Sequence, residues 1–201
     1  MKKSILLTAA FVALSGTASF AGDAKMSFFI TSVNPGGGGD LGGLAGADAH
    51  CTALAEAAGN GGKTWAAYLS TSTVNARDRI GSGPWYAPNG EMIATNLDAL
   101  HGENNIAKAT ALNELGEVVN GRGDKPNRHD IMTGSELDGT LKGKACGDWT
   151  GAGSTMVGHH DRTGGGAHPK SWNSAHGSRG CSIKQLRSTG GDGLFYCFAI
   201  E

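Results

Sequence analysis

Histidines carry most of this chain's chemical potential, and five of the seven fall between positions 129 and 176: His129, His159, His160, His168 and His176. Asn127, Asp130, Asp161, Trp172 and Asn173 lie among them. Imidazole and carboxylate are donors for zinc. Amides and carboxylates also satisfy sugar hydroxyls, and an aromatic face covers the apolar side of a sugar ring. Two chemistries therefore compete for the same residues. Adjacent His159 and His160 on a strand would point to opposite faces, and no helix carries a His-x-x-x-His pair that would aim two ligands one way. The expectation is a ligand-binding surface on the loops between 121 and 180, made by Asn127, His129, Asp130, His159, His160, Asp161, Trp172, Asn173 and His176, with no metal and no cofactor. The competing reading is a metal-dependent hydrolase centred on His159 and His160, and a third is an adhesive module that binds another protein.

No familiar catalytic motif supports an enzyme. The chain has no Gly-x-Ser-x-Gly elbow, no phosphate-binding Gly-x-x-x-x-Gly-Lys and no zinc-protease helix. Asp148, Asp161 and Asp192 would have to meet in space to act as a glycosidase pair. Arg122-Gly123-Asp124 spells an integrin-binding tripeptide, in a glycine-rich chain where chance makes such triplets common.

The segments that must position these residues belong to one exported domain. Residues 1–21 carry Lys2 and Lys3, then the apolar run from Ile5 to Leu14, then Ser19-Phe20-Ala21, the pattern of a cleavable signal peptide. The run is too short to span a bilayer, so a soluble periplasmic or secreted protein is expected. Residues 22–201 are of a length for a single domain. Losing Lys2 and Lys3 lowers the 17 basic residues by two against 18 acids, a formal charge of −3 that argues against nucleic acid as a partner. The 34 glycines follow no Gly-X-Y period and point to long loops.

Strands are expected over 26–33 and 65–69 and in the terminal run Leu194 to Ile200, with a hairpin over 109–120. Helices are expected over 48–58, capped by Asp48 and carrying Cys51, and over 97–101, between the cap Asn96 and the stop Gly102. Cys51, Cys146, Cys181 and Cys197 in an exported chain read as two structural disulfides. Three pairings are open, and the spacing favours a nested one.

In this order, the pieces resemble the endostatin domain of non-fibrillar collagens and, through it, the C-type lectin-like fold. The resemblance runs from Gly46-Ala47-Asp48-Ala49-His50-Cys51 through Trp65-Ala66-Ala67-Tyr68-Leu69-Ser70, Arg77-Asp78-Arg79 and Asn96-Leu97-Asp98-Ala99-Leu100. It continues in Gly134-Ser135, Asp138-Gly139 and Cys146-Gly147-Asp148-Trp149, and ends in Cys181 and Phe195-Tyr196-Cys197-Phe198. It implies an α+β fold with short antiparallel sheets, one or two helices and long loops that carry binding, and it pairs Cys51 with Cys197 and Cys146 with Cys181. Recognition of a glycan or another polar cell-surface ligand is the implied activity. Trp172-Asn173-Ser174 has a serine where calcium-dependent lectins carry a carboxylate, so the binding is expected to be calcium-independent. Endostatin's zinc histidines, near its mature N-terminus, have no counterpart in Gly22-Asp23-Ala24-Lys25.

Overall fold

The computed structural model describes residues 25–200, so the expected signal peptide at 1–21 lies outside them. The terminal run is apolar at consecutive positions, and such a strand is stable only when covered on both faces. It forms β8 (Gly191–Ala199), buried along its whole length. β1 (Phe28–Ile30) pairs antiparallel along one edge, setting Phe29 opposite Cys197. β2 (Trp65–Ala67) pairs antiparallel along the other, setting Ala66 opposite Phe198. Further along that second edge β5 (Asp130–Met132) joins the first half of β8, with Asp130 opposite Gly191, and β6 (Met156–His159) and β7 (His176–Gly177) extend the sheet. β3 (Trp85–Tyr86) and β4 (Met92–Ala94) form a separate ribbon.

The architecture is thus mixed α/β with few helices, but the main sheet is not purely antiparallel as expected: β5 runs parallel to β8. A parallel pair needs a long crossover. The chain from 133 to 190 supplies it, passing through β6 and β7 on the way.

Alternation along β8 divides the core in two. Phe195, Cys197 and Ala199 face a cluster with Phe29, Trp65 and Trp149. Leu194, Tyr196 and Phe198 face the other, with Phe28, Tyr68, Trp85 and Trp172. Helix α1 (Gly43–Ala57) lies over the first cluster and is tied to β8 by the disulfide Cys51–Cys197. It begins five residues before the expected start, after Gly42 in a left-handed conformation (φ 72°). Asp48 is therefore no cap. Its carboxylate accepts from the Ala67 N–H at 2.8 Å and pairs with Arg79 at 2.7 Å, clamping the helix to β2.

Helix α2 (Leu97–His101) matches expectation: Asn96 Oδ1 accepts from the Ala99 N–H at 2.9 Å, and Gly102 follows the last turn. The expected hairpin over 109–120 shrinks to a turn closed by Asn113 N–H to Glu117 C=O, with a single bridge between Leu112 and Val118. Leu115 and Val118 face solvent there, so no buried face holds longer strands together. Helix α3 (Ile183–Arg187), unforeseen in the sequence, opens with a capping box of Ser182 and Gln185. The second disulfide, Cys146–Cys181, completes the nested pattern, and no cysteine is free. Among the described residues no helix is long and apolar enough to cross a membrane.

Candidate metal centre

Three strand ends bring the histidines together. In the antiparallel pairing of β5 and β6, Asp130 stands opposite His159, and β7 beside β6 sets His176 opposite Val157. His129 directly precedes β5. The result is convergence on one oxygen: Asp130 Oδ1 lies 3.1 Å from His129 Nε2, 3.3 Å from His159 Nε2 and 3.4 Å from His176 Nε2. The His129 and His159 rings stack with centroids 4.3 Å apart. His129, Asp130 and His159 are buried, and His176 is half-buried.

Protonation can be read from the far side of each ring. His159 Nδ1 is 2.8 Å from the Pro169 carbonyl oxygen and His176 Nδ1 is 3.1 Å from that of Gly177. A carbonyl only accepts, so both Nδ1 atoms carry hydrogen. In the neutral imidazole that leaves a lone pair on Nε2. His129 turns its Nδ1 toward Asp161 Oδ1 at 3.4 Å. Lone pairs would thus face a carboxylate oxygen, acceptor against acceptor. Neither oxygen of Asp130 nor Nε2 of His159 has a hydrogen-bond partner, although both groups are buried. Buried polar atoms left this way cost about 1–3 kcal/mol each, so the cluster calls for a positive charge, either a proton on an imidazole, as the raised pKa of His176 beside Asp130 shows, or a metal ion.

A divalent metal supplies one. Tetrahedral zinc with bonds of about 2.0–2.1 Å separates its ligand atoms by about 3.3 Å, which is the spacing of Asp130 Oδ1 from the three nitrogens. Histidine ligands characteristically donate their second ring N–H to a carbonyl or carboxylate, as His159 and His176 are placed to do, while His129 Nδ1 faces Asp161 Oδ1 without a formed hydrogen bond. His129, Asp130 and His159 present ligand atoms all within 4.8 Å of one another, and the His176 nitrogen stands outside that group, beside Asp130. Calcium is a poor match, since it takes six to eight oxygens. Burial resists ionisation of Asp130, but positive charge and N–H donation from the His159 and His176 side outweigh it when an imidazole is protonated, holding the carboxyl below its usual range and raising His176 in return.

Close backbone approach frames the site. Gly164 (φ 141°) passes over the rings, where an added Cβ would come within 2.5 Å of His159 Cε1. Gly190 (φ 114°) leaves room for His129, whose Nε2 would be 2.8 Å from a Cβ there. Asp161 ties the centre to the preceding loop. Its Oδ2 accepts the Arg122 N–H at 2.6 Å and its Oδ1 the Thr163 N–H at 3.1 Å. These bonds and His129 overcome partial burial and hold its carboxyl well below the ordinary range.

The other expected surface residues divide. Asn127 lines the cavity outside the imidazoles, and its Oδ1 accepts the His129 N–H at 3.2 Å. Trp172 and Asn173 are buried beneath a separate cavity of about 430 Å³ that they line with His101 and Arg162. The Trp172 indole donates to Leu100 C=O at 3.1 Å, and the Asn173 amide reaches the Tyr68 hydroxyl and the carbonyls of Glu136 and Leu137. Both anchor the 160–175 loop from within. His160 points away from His159, as strand alternation requires, and its Nε2 meets Asn120 C=O at 3.2 Å. Asp148 is held by Ser72, and Asp192 by Arg128 and Arg187, so neither forms a carboxylate pair with Asp161. Asp124 of the Arg-Gly-Asp triplet pairs with Lys108 at 2.5 Å.

Burial pushes the His160 imidazole down to about 4. Its unfolded counterpart binds a proton below about 6.5 while the folded one stays neutral, so stability is lost as the pH drops through that window. His160→Gln should flatten the decline of the melting temperature between pH 6.5 and 4, measured beside the wild type. An unchanged pH slope would show that His160 is not held neutral.

No protein-family model and no curated protein sequence matches this chain.

Proposed function

We propose that this chain is an exported binding module of C-type lectin-like, endostatin-like architecture, and that its ligand surface is built around a divalent transition-metal ion held by His129, Asp130, His159 and His176. The observation that carries this reading is the convergence of three imidazole Nε2 atoms on a buried carboxylate oxygen without hydrogen-bond alignment. Two disulfides fit an oxidising compartment, and secretion or periplasmic residence belongs to the same proposal. The order of sequence fragments, the nested disulfides and a β1–β8 pair that joins the chain ends support the lectin-like assignment. The cluster lies at the opposite end of β8 from that junction, where a loop-borne ligand surface was expected.

This departs from the sequence expectation of a metal-free surface, and it keeps the binding role. A hydrolase would need a general base on the open side of the metal. Among the described residues no carboxylate lines the cavity there, and Asp130 and Asp161 both lie behind the imidazoles they face. Binding is therefore favoured over catalysis.

Thermal denaturation of metal-stripped protein tests the reading. Zinc at one hundred times its dissociation constant should stabilise by about 2.7 kcal/mol, and millimolar calcium should leave the melting temperature unchanged. Equal responses to the two ions, or none to zinc, would count against a nitrogen-rich site.

A further inference from the structure

The metal would sit at the floor of a cavity of about 470 Å³, within the range of small-ligand pockets. All three imidazoles line this cavity and Asp130 does not, so the carboxylate closes the inner side of the centre and the outer side stays open. The rim is cationic. Arg122 and Arg179 both line the cavity and both are exposed. Neither guanidinium has an ion pair or hydrogen bond among the described residues, although Arg79, Arg128 and Arg187 all engage carboxylates. Their backbones are tied to the site. The Arg122 backbone N–H is held by Asp161, the residue that also faces His129, and Arg179 follows two residues after β7.

Asp130 and Asp161 together cancel the charge of a divalent ion. The two guanidiniums are then uncompensated, around a pocket that contains no carboxylate. Asn127, Ser188 and Thr189 add polar groups to its wall. Arginine forks match oxyanions bidentately, and an open metal position takes an oxygen.

From this arrangement we infer that the metal-loaded cavity binds an oxyanion, a carboxylate or phosphate group carried by a small acidic ligand, with one oxygen on the metal and others on Arg122 and Arg179. The inference rests on the metal centre proposed above and names the class of ligand it takes.

Calorimetric titration of the zinc-loaded full chain tests it, with glucuronate as the carboxylate probe, inorganic phosphate as the phosphoryl probe and glucose as the neutral one. Bound zinc is counted before each titration. At least one acidic probe should bind, glucose should not, and the stronger acidic probe identifies the oxyanion source. R122Q/R179Q should retain its zinc and weaken that probe by about tenfold or more, and stripping the metal from the wild type should weaken it similarly. Zinc retention with no acidic probe bound, with glucose bound as well as glucuronate, or with full affinity in R122Q/R179Q would overturn the oxyanion inference alone. Failure of the wild type to retain zinc would overturn the metal centre, and this inference with it.

Discussion

His176→Gln should lower the protein's zinc affinity by about 100-fold or more while leaving the fold intact. Loss of a second-layer partner at a metal site already costs about 10–100-fold, and the proposed centre uses His176 as a direct ligand. The residue is half-buried at the edge of β7, its Nε2 is 3.4 Å from Asp130 Oδ1, and only two residues form its strand. Glutamine fills the space and removes the nitrogen. His159→Ala should be at least as damaging to metal binding, but His159 is wholly buried and bonded to Pro169, so that variant also loses stability. Competition against a chromophoric zinc chelator measures both, with circular dichroism to confirm folding. A folded His176→Gln protein with wild-type zinc affinity would remove His176 from the ligand set.

The largest effect on stability should come from opening the disulfide between Cys51 and Cys197. It closes a loop of 146 residues, against 35 for Cys146 and Cys181. On the chain-entropy account the first closure is worth about 5 kcal/mol and the second about 4 kcal/mol. The longer bridge also fastens α1 to the central strand, with both sulfurs in the fully buried core. Small domains hold only about 5–15 kcal/mol in total, so the double alanine variant at 51 and 197 should sit at the margin of folding. Urea denaturation of the two double variants gives the comparison. A smaller loss for the 51/197 pair than for the 146/181 pair would show that local packing, and not loop closure, dominates.

Local signals were legible where one segment settles its own structure. Asn96 before Leu97 and Gly102 after His101 bounded α2, because a cap and a stop act within one turn. The apolar run at the C-terminus marked β8 for the same reason: burial on both faces leaves no polar alternation. Ser182 and Gln185 offered an equally local sign of α3, three residues apart, but it was hidden within a long glycine-rich stretch. Asp48 misled because an aspartate ahead of a helical run looks like a cap until its partners, the Ala67 N–H and Arg79, are seen to lie on other segments.

The metal centre was not legible as a centre. Its ligands at 129, 130, 159 and 176 follow no motif spacing, since they are matched by cross-strand register and not by helical period. The pairing of Asp130 with His159 is a property of β5 beside β6, which depends in turn on β5 lying parallel to β8. Alternation did foretell that His159 and His160 would part, and it gave no way of choosing which one turned inward. Trp172 and Asn173 were read by type as groups suited to a ligand, and the structure bonds both into the loop beside a second cavity.

Zinc-edge X-ray absorption on the wild-type chain carrying one equivalent of metal tests the central claim most directly. The account predicts a first shell of nitrogen and oxygen at about 2.0–2.1 Å, with the outer-shell scattering of three imidazoles and one carboxylate. A six-coordinate, water-rich shell without imidazole scattering would contradict it.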